Sequence, residues 1–181
     1  MNIYCMKIAL HGITPMVWRR LRVPGNTSLA VLHHVIQILF NWDEYNLHQF
    51  HIYGKDYGLN YIGAVMYSDD ANKVVLDDFQ FDVGDKFTYE YNFFEHNMHD
   101  IRIETIKDLL TVNYDISCLS GSGMVGATKY DVIQVEYEML EKLVKQKGKI
   151  TIEDIHEFQD KINHVSFNKL RLNQSLSSLI T

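Results

Sequence analysis

The chain has 181 residues, of which 46% are hydrophobic and 22% charged, with a formal net charge of −6. This suits one globular domain with a sizeable core and argues against whole-surface binding of nucleic acid. Two cysteines, Cys5 and Cys118, and no C-x-x-C spacing argue against a disulfide framework or a zinc site of the usual pattern. No apolar run approaches the roughly 18 residues of a membrane helix, and no charged-then-apolar leader opens the chain. The expected setting is therefore the cytoplasm, with no membrane partner.

In chain order, "IYCMKIALHG" alternates with period two and predicts a strand, and Pro15 in "ITP" turns the chain. "VWRRLRV" predicts a second strand, closing a hairpin. Trp18, Arg20 and Arg22 fall on one of its faces, Arg19 and Leu21 on the other. Thr27 is the expected helix N-cap, followed by Leu29, Leu32, Val35, Ile36, Leu39 and Phe40 at helical spacing, with an end near Asn41. His33 and His34 are adjacent inside this helix and read as surface or boundary residues.

"LHQFHIYG" predicts the next strand. Its alternation puts His48, Phe50 and Ile52 on the buried face and His51 on the exposed one. Residues 54 to 75, rich in Gly, Asn, Asp and Tyr, read as a long loop. A short helical turn follows in "LDDFQF", and Gly84-Asp85 turns into "FTYEYNF", whose aromatic stripe at 87, 89, 91 and 93 marks a core face. "FEHNM" is a polar corner before the partner strand "HDIRIETI". Residues 111 to 128 have the Gly and Ser density of a loop. From Tyr130 the pattern turns helical: "DVIQVEYEMLEKLVKQKG", "TIEDIHEFQDKI" after Thr151, and a shorter "FNKLRLNQSLSSL".

The fold class is thus α+β: a mixed, mainly antiparallel sheet of about five strands with one early helix and a helical C-terminal part. Residues 1–128 form the sheet domain, and 129–181 a helical segment packed on the same domain.

Charge is unevenly placed. Residues 1 to 42 hold Lys7, Arg19, Arg20 and Arg22 and no acidic residue, a local +4 on a body that carries −10. Trp18, Arg19, Arg20 and Arg22 are the candidate anion- or nucleic-acid-binding residues, since arginine beside an aromatic ring suits phosphate. The same grouping also serves as a purely structural device. A second constellation comes from His48 at the start of one strand, His99 at the start of another, Glu95 in the corner before it and Asp43 just upstream. Asp43, His48, Glu95 and His99 are the candidate catalytic residues. With His48 and His99 as ligands they could hold a divalent metal and activate water, or run acid–base chemistry without one. The alternative is that both histidines bond loop backbone and fix the corners. G-x-S-x-G, the phosphate loop and the dinucleotide fingerprint are all absent, which argues against an ATP- or NAD-dependent enzyme and leaves no nucleophile motif.

Four segments carry a family resemblance: "MKIALHGITPMVWRRLRVPGNTSLAVLHHVIQILFNWDEYNLHQFHIYG", "FTYEYNFFEHNMHDIRIE", "CLSGSG" and "FNKLRLNQSL". They resemble the family named after the third open reading frame of the Ri plasmid, whose relatives are described as passengers of an insertion element. Pro15, Trp18, Arg19, Arg20, Trp42, Asp43, Leu47, His48 and Phe50 match its first motif. In its second, Tyr91, Phe93 and His99 match, while Asn92, Phe94, Glu95 and Asn97 replace Asp, Gly, Asp and Trp. In its third, Cys118 and Gly121 match, and the second cysteine with its prolines is missing. The resemblance implies a folded, pseudo-barrel-like sheet with a packed helix and supplies no established reaction.

The leading expectation is an uncharacterised plasmid- or mobile-element-associated accessory or binding protein without a cofactor. Its basic N-terminal hairpin would face a protein or nucleic acid. The competing expectation is a metal-assisted hydrolase built on the His/carboxylate cluster.

Overall fold

A computed structural model describes residues 1–13, 16–42, 44–60, 66–108, 115–123 and 167–180, with isolated positions 141, 145 and 151. Pro15, Asp43 and most of the two helices expected between 131 and 162 lie outside these residues.

The described elements are β1 (Asn2–Leu10), β2 (Trp18–Pro24), α1 (Leu29–Phe40), β3 (His48–Ile52), β4 (Lys55–Tyr57), a 3₁₀ turn (Leu76–Phe79), β5 (Lys86–Tyr91), β6 (Asn97–Asp108), β7 (Ser117–Ser122) and α2 (Lys169–Ile180). The strands form one seven-stranded sheet in the order β4-β3-β5-β6-β1-β2-β7. Every described pairing is antiparallel. The α+β class holds, with two corrections. The sheet has seven strands rather than five, and it is open rather than pseudo-barrel-like, with β4 and β7 as its edges.

Both added strands come from segments expected to be loops. β4 is three residues long and returns from β3 through Tyr53-Gly54, with φ of 48° and 78°. Two positive-φ residues match the twist of a tight hairpin, so a turn does here what composition suggested a loop would do. β7, "SCLSGS", has a loop's composition. It is a strand because β2 offers it a ladder and α2 covers it: Leu172 and Leu176, four apart on one helical face, are buried.

Alternation sorts each strand into two faces. Tyr4, Met6, Ile8 and Leu10 of β1, Phe87, Tyr89 and Tyr91 of β5, and Ile101 and Ile103 of β6 form the core face with α1. Helix α1 is capped by Ser28 rather than Thr27: its side chain accepts from Val31 N at 3.2 Å. Asn41, left-handed at φ 53°, ends the helix as expected. Opposite α1 lies the outer face, which carries Lys7, Trp18, Arg20, Thr88, Asp100 and Arg102.

Candidate functional site

His48 and His99 fall on the core face of the sheet, and Trp18, Arg20 and Arg22 on the outer face. His48 and His99 both point into the core, at 2% and 0% exposure. β5 separates them: His48 pairs in register with Tyr91, and His99 with Tyr89. Two strand spacings and a two-residue offset along β5 put their backbones about 12 Å apart.

His99 is fully committed. Its Nδ1–H donates to Asn97 O at 3.0 Å, and its Nε2 receives the Trp42 indole N–H at 3.4 Å. This fixes one neutral tautomer, and burial pushes the pKa down to about 4. His48 is stacked on His33, ring centroids 3.5 Å apart and planes within 10°. Parallel rings aim their lone pairs along parallel planes, so the two do not converge on one ion. Burial first, then the charge of His34, lowers the His48 pKa to about 4.

His33 was expected near the surface. Instead it is 1% exposed, with Nδ1 at 2.8 Å from the Tyr89 hydroxyl, which Gln37 also reaches at 2.8 Å. The reason is that α1 is covered across most of its circumference: nine of its twelve residues are buried. Glu95 lies in the turn from Asn92 to His96 and accepts from the Asn97 side chain at 3.0 Å, rather than facing either histidine. Among the described residues no group of three or more His, Cys, Asp or Glu side chains is placed to hold a metal.

The basic hairpin divides as alternation requires. Arg19 lies on the core face at 0% exposure, so it is not part of an anion-binding surface. Its guanidinium donates to four carbonyls: Leu39 (3.2 Å), Trp18 (2.7 Å), Ser122 (2.6 Å) and Gly123 (3.2 Å). It also lies over the rings of Phe40 and Phe167. The last turn of α1 carries no basic residue of its own, and Arg19 supplies that charge from β2. Burial lowers its pKa to about 10.

Arg20 faces outward. Its Nε and Nη2 grip Glu104 at 2.5 and 3.0 Å, and Nη1 reaches Ser120 Oγ at 3.0 Å. Glu104 is the extra residue of a β-bulge opposite Cys5 and Met6, which swings its carboxylate to Arg20. The Arg20 bonds hold the Glu104 carboxyl below the usual range, with Lys7 and Arg102 adding to the effect. Trp18 lies beneath two cations, Lys7 Nζ at 4.9 Å and the Arg20 guanidinium at 5.1 Å. Arg22 shares this face, opposite Cys5 and Ser117.

Four strands combine here into a feature that no local motif announces. Lys86 pairs with Arg102, Arg102 with Lys7, and Lys7 with Arg20. Four cations therefore stand in one transverse row on the outer face, at directly opposite cross-strand positions. Arg20 has Glu104. Among the described residues, Lys7, Lys86 and Arg102 have no carboxylate within ion-pair distance. Lys7, Lys86 and Arg102 of the row line a concave dish of about 620 Å³ together with Tyr53, Met16 and Asp100. Asp100 is occupied by His11 at 2.8 Å. Tyr53 stands at the β3–β4 turn with its ring 61% exposed and its hydroxyl on Asp85 at 2.6 Å.

Comparison with known proteins agrees with this architecture. A solved structure titled as a protein of unknown function, MM3350 from Methanosarcina mazei Go1, superposes with a TM-score of 0.63 at 28% identity, covering 81% of this chain and 83% of that one. The uncharacterized protein y4hQ of Sinorhizobium fredii (strain NBRC 101917 / NGR234) is 33% identical over 100 residues. That match takes in 55% of this chain and 52% of y4hQ, about half the length of each. The family model described as plasmid pRiA4b ORF-3-like protein matches residues 2–171. The match runs from β1 into α2, so the chain belongs to the plasmid pRiA4b ORF-3-like family.

Proposed function

We propose that this chain is an accessory protein that works by binding, and that it captures an anionic partner on the outer face of its sheet. The observation that carries this reading is the row Lys86–Arg102–Lys7–Arg20. Like charges directly opposite one another across strands destabilise a sheet. A chain of net charge −6 has acidic residues to intersperse, yet among the described residues three adjacent members of the row have no carboxylate within ion-pair distance. An arrangement that costs stability and lines a concavity is what an anion-binding face requires. The reading keeps Trp18 and Arg20 from the basic hairpin, releases Arg19 to the core, and adds Lys7, Lys86 and Arg102. It needs no cofactor.

The test uses a general polyanion. Wild type should be retained on immobilised heparin at low salt, and the triple variant Lys7→Ala/Lys86→Ala/Arg102→Ala should pass through with an unchanged circular dichroism spectrum. Equal retention of the two proteins would refute the assignment of the face.

A further inference from the structure

Resting on that reading, we infer that the anion is a single-stranded nucleic acid lying across the strands, its phosphates on Lys7, Lys86 and Arg102 and a base against Tyr53. The row runs perpendicular to the strands, and its three spacings span about 14 Å. It thus follows a linear polyanion rather than encircling a point charge. At one end the Trp18 ring lies beneath the Lys7 and Arg20 head groups, and at the other the Tyr53 ring is exposed beside Lys86. Cations bracketed by aromatic rings on an open sheet are the arrangement that takes unstacked bases and their backbone.

Tyr53 adds a second, independent observation. It occupies a left-handed backbone position, φ 48°, where an aromatic residue is uncommon and Asn or Gly is usual. The Tyr53 hydroxyl donates to Asp85 and its ring packs on Phe81 at 5.7 Å, which holds the exposed ring in place at the lining of the dish. A duplex is disfavoured by shape: reading a major groove takes a projecting helix or ribbon. Of the described helices, α1 lies on the core face and α2 against β7. The carboxylates nearest the row are each hydrogen-bonded within the protein, Glu104 by Arg20, Asp100 by His11 and Asp85 by the Tyr53 hydroxyl.

The experiment is fluorescence anisotropy of a labelled single strand of about 12 nucleotides, its duplex, and a labelled poly-glutamate peptide, between 50 and 200 mM salt. The single strand should bind in preference to the duplex and the peptide. With three phosphates engaged, the log–log salt slope should be about −2, so affinity falls about fifteenfold over that range. The triple alanine variant should lose the binding, and Arg171→Ala, exposed on α2, should keep it. Tyr53→Asn, which suits the left-handed turn, should weaken the single strand about tenfold and leave heparin retention unchanged.

Three outcomes overturn the inference while leaving the anion-binding reading in place: row-dependent heparin retention with no oligonucleotide binding, equal binding of duplex and single strand, or tighter binding of the peptide. Loss of heparin retention and oligonucleotide binding alike in the wild-type protein would overturn both.

Discussion

Arg19 and Arg20 are neighbours in the chain and opposites in the fold. Arg19 is sealed in the core, held by four carbonyls with no carboxylate among them; Arg20 stands on the outer face, gripped by Glu104. The same contrast runs through the two faces as wholes. The core face holds its polar groups, three imidazoles and one guanidinium, by neutralising or enclosing them. The outer face holds a line of cations and leaves most of them to solvent. Polar residues on the first face hold the fold together, while those on the second are available to a partner.

Acid should break this contrast most deeply. His48 and His99 titrate at about 4 in the folded chain, against about 6.5 when unfolded. His33 is lowered as well, by burial first and then by the charges of His48 and His34. Between these values the unfolded chain binds more protons, so stability is level above pH 6.5 and falls as pH drops toward 4. The loss is of order 3 kcal/mol for each of His48 and His99. Denaturant midpoints measured from pH 7.5 to 4.5 should drop steeply below 6.5, and His48→Phe should make the drop shallower. A flat profile would show that these imidazoles are not buried neutral.

Next in size is Arg19→Ala. It strands the Leu39, Ser122 and Gly123 carbonyls and leaves a void against Phe40 and Phe167, a cost of about 3–5 kcal/mol. Urea unfolding measures it. Arg20→Ala, losing a half-exposed pair, should cost less than about 1 kcal/mol. Equal losses at the two positions would erase the distinction drawn between them. Smallest is the triple variant at Lys7, Lys86 and Arg102. Relieving like-charge pairs should leave stability unchanged or raise it by about 0.5–1 kcal/mol. A clear loss in the same urea experiment would make the row structural.

Alternation is a local property, and what it governs was readable along the chain. The buried side of β3, the aromatic stripe of β5, and the split of Arg19 from Arg20 and Arg22 all follow from a period of two. Register is not local. Lys7, Arg20, Lys86 and Arg102 each appear as one charge on the polar phase of a strand, and only strand pairing lines them up. β7 escaped notice because its Ser- and Gly-rich stretch draws its strand character from β2 and α2 rather than from itself. His33 was misplaced because a one-sided view of α1 leaves it on the flank, whereas the helix is enclosed over most of its surface. His48 and His99 were singled out as unusual, and they are, but as core groups on either side of Tyr89 rather than a converging pair. Asp43 lies outside the described residues.

One α2 side chain hydrogen-bonds the outer edge of β7. Asn173 receives the Cys118 N–H at 2.7 Å and donates back to the Cys118 carbonyl at 3.1 Å. A primary amide offers the same acceptor-and-donor pair as a peptide bond, so Asn173 stands in for one residue of an eighth strand. The helix thereby fills one ladder position beside β7. Without α2, Cys118 would present an open ladder position, the kind of edge on which one copy of a chain can add to the next. The docking of a mostly polar helix thus covers this edge of the sheet at Cys118, the second residue of its strand.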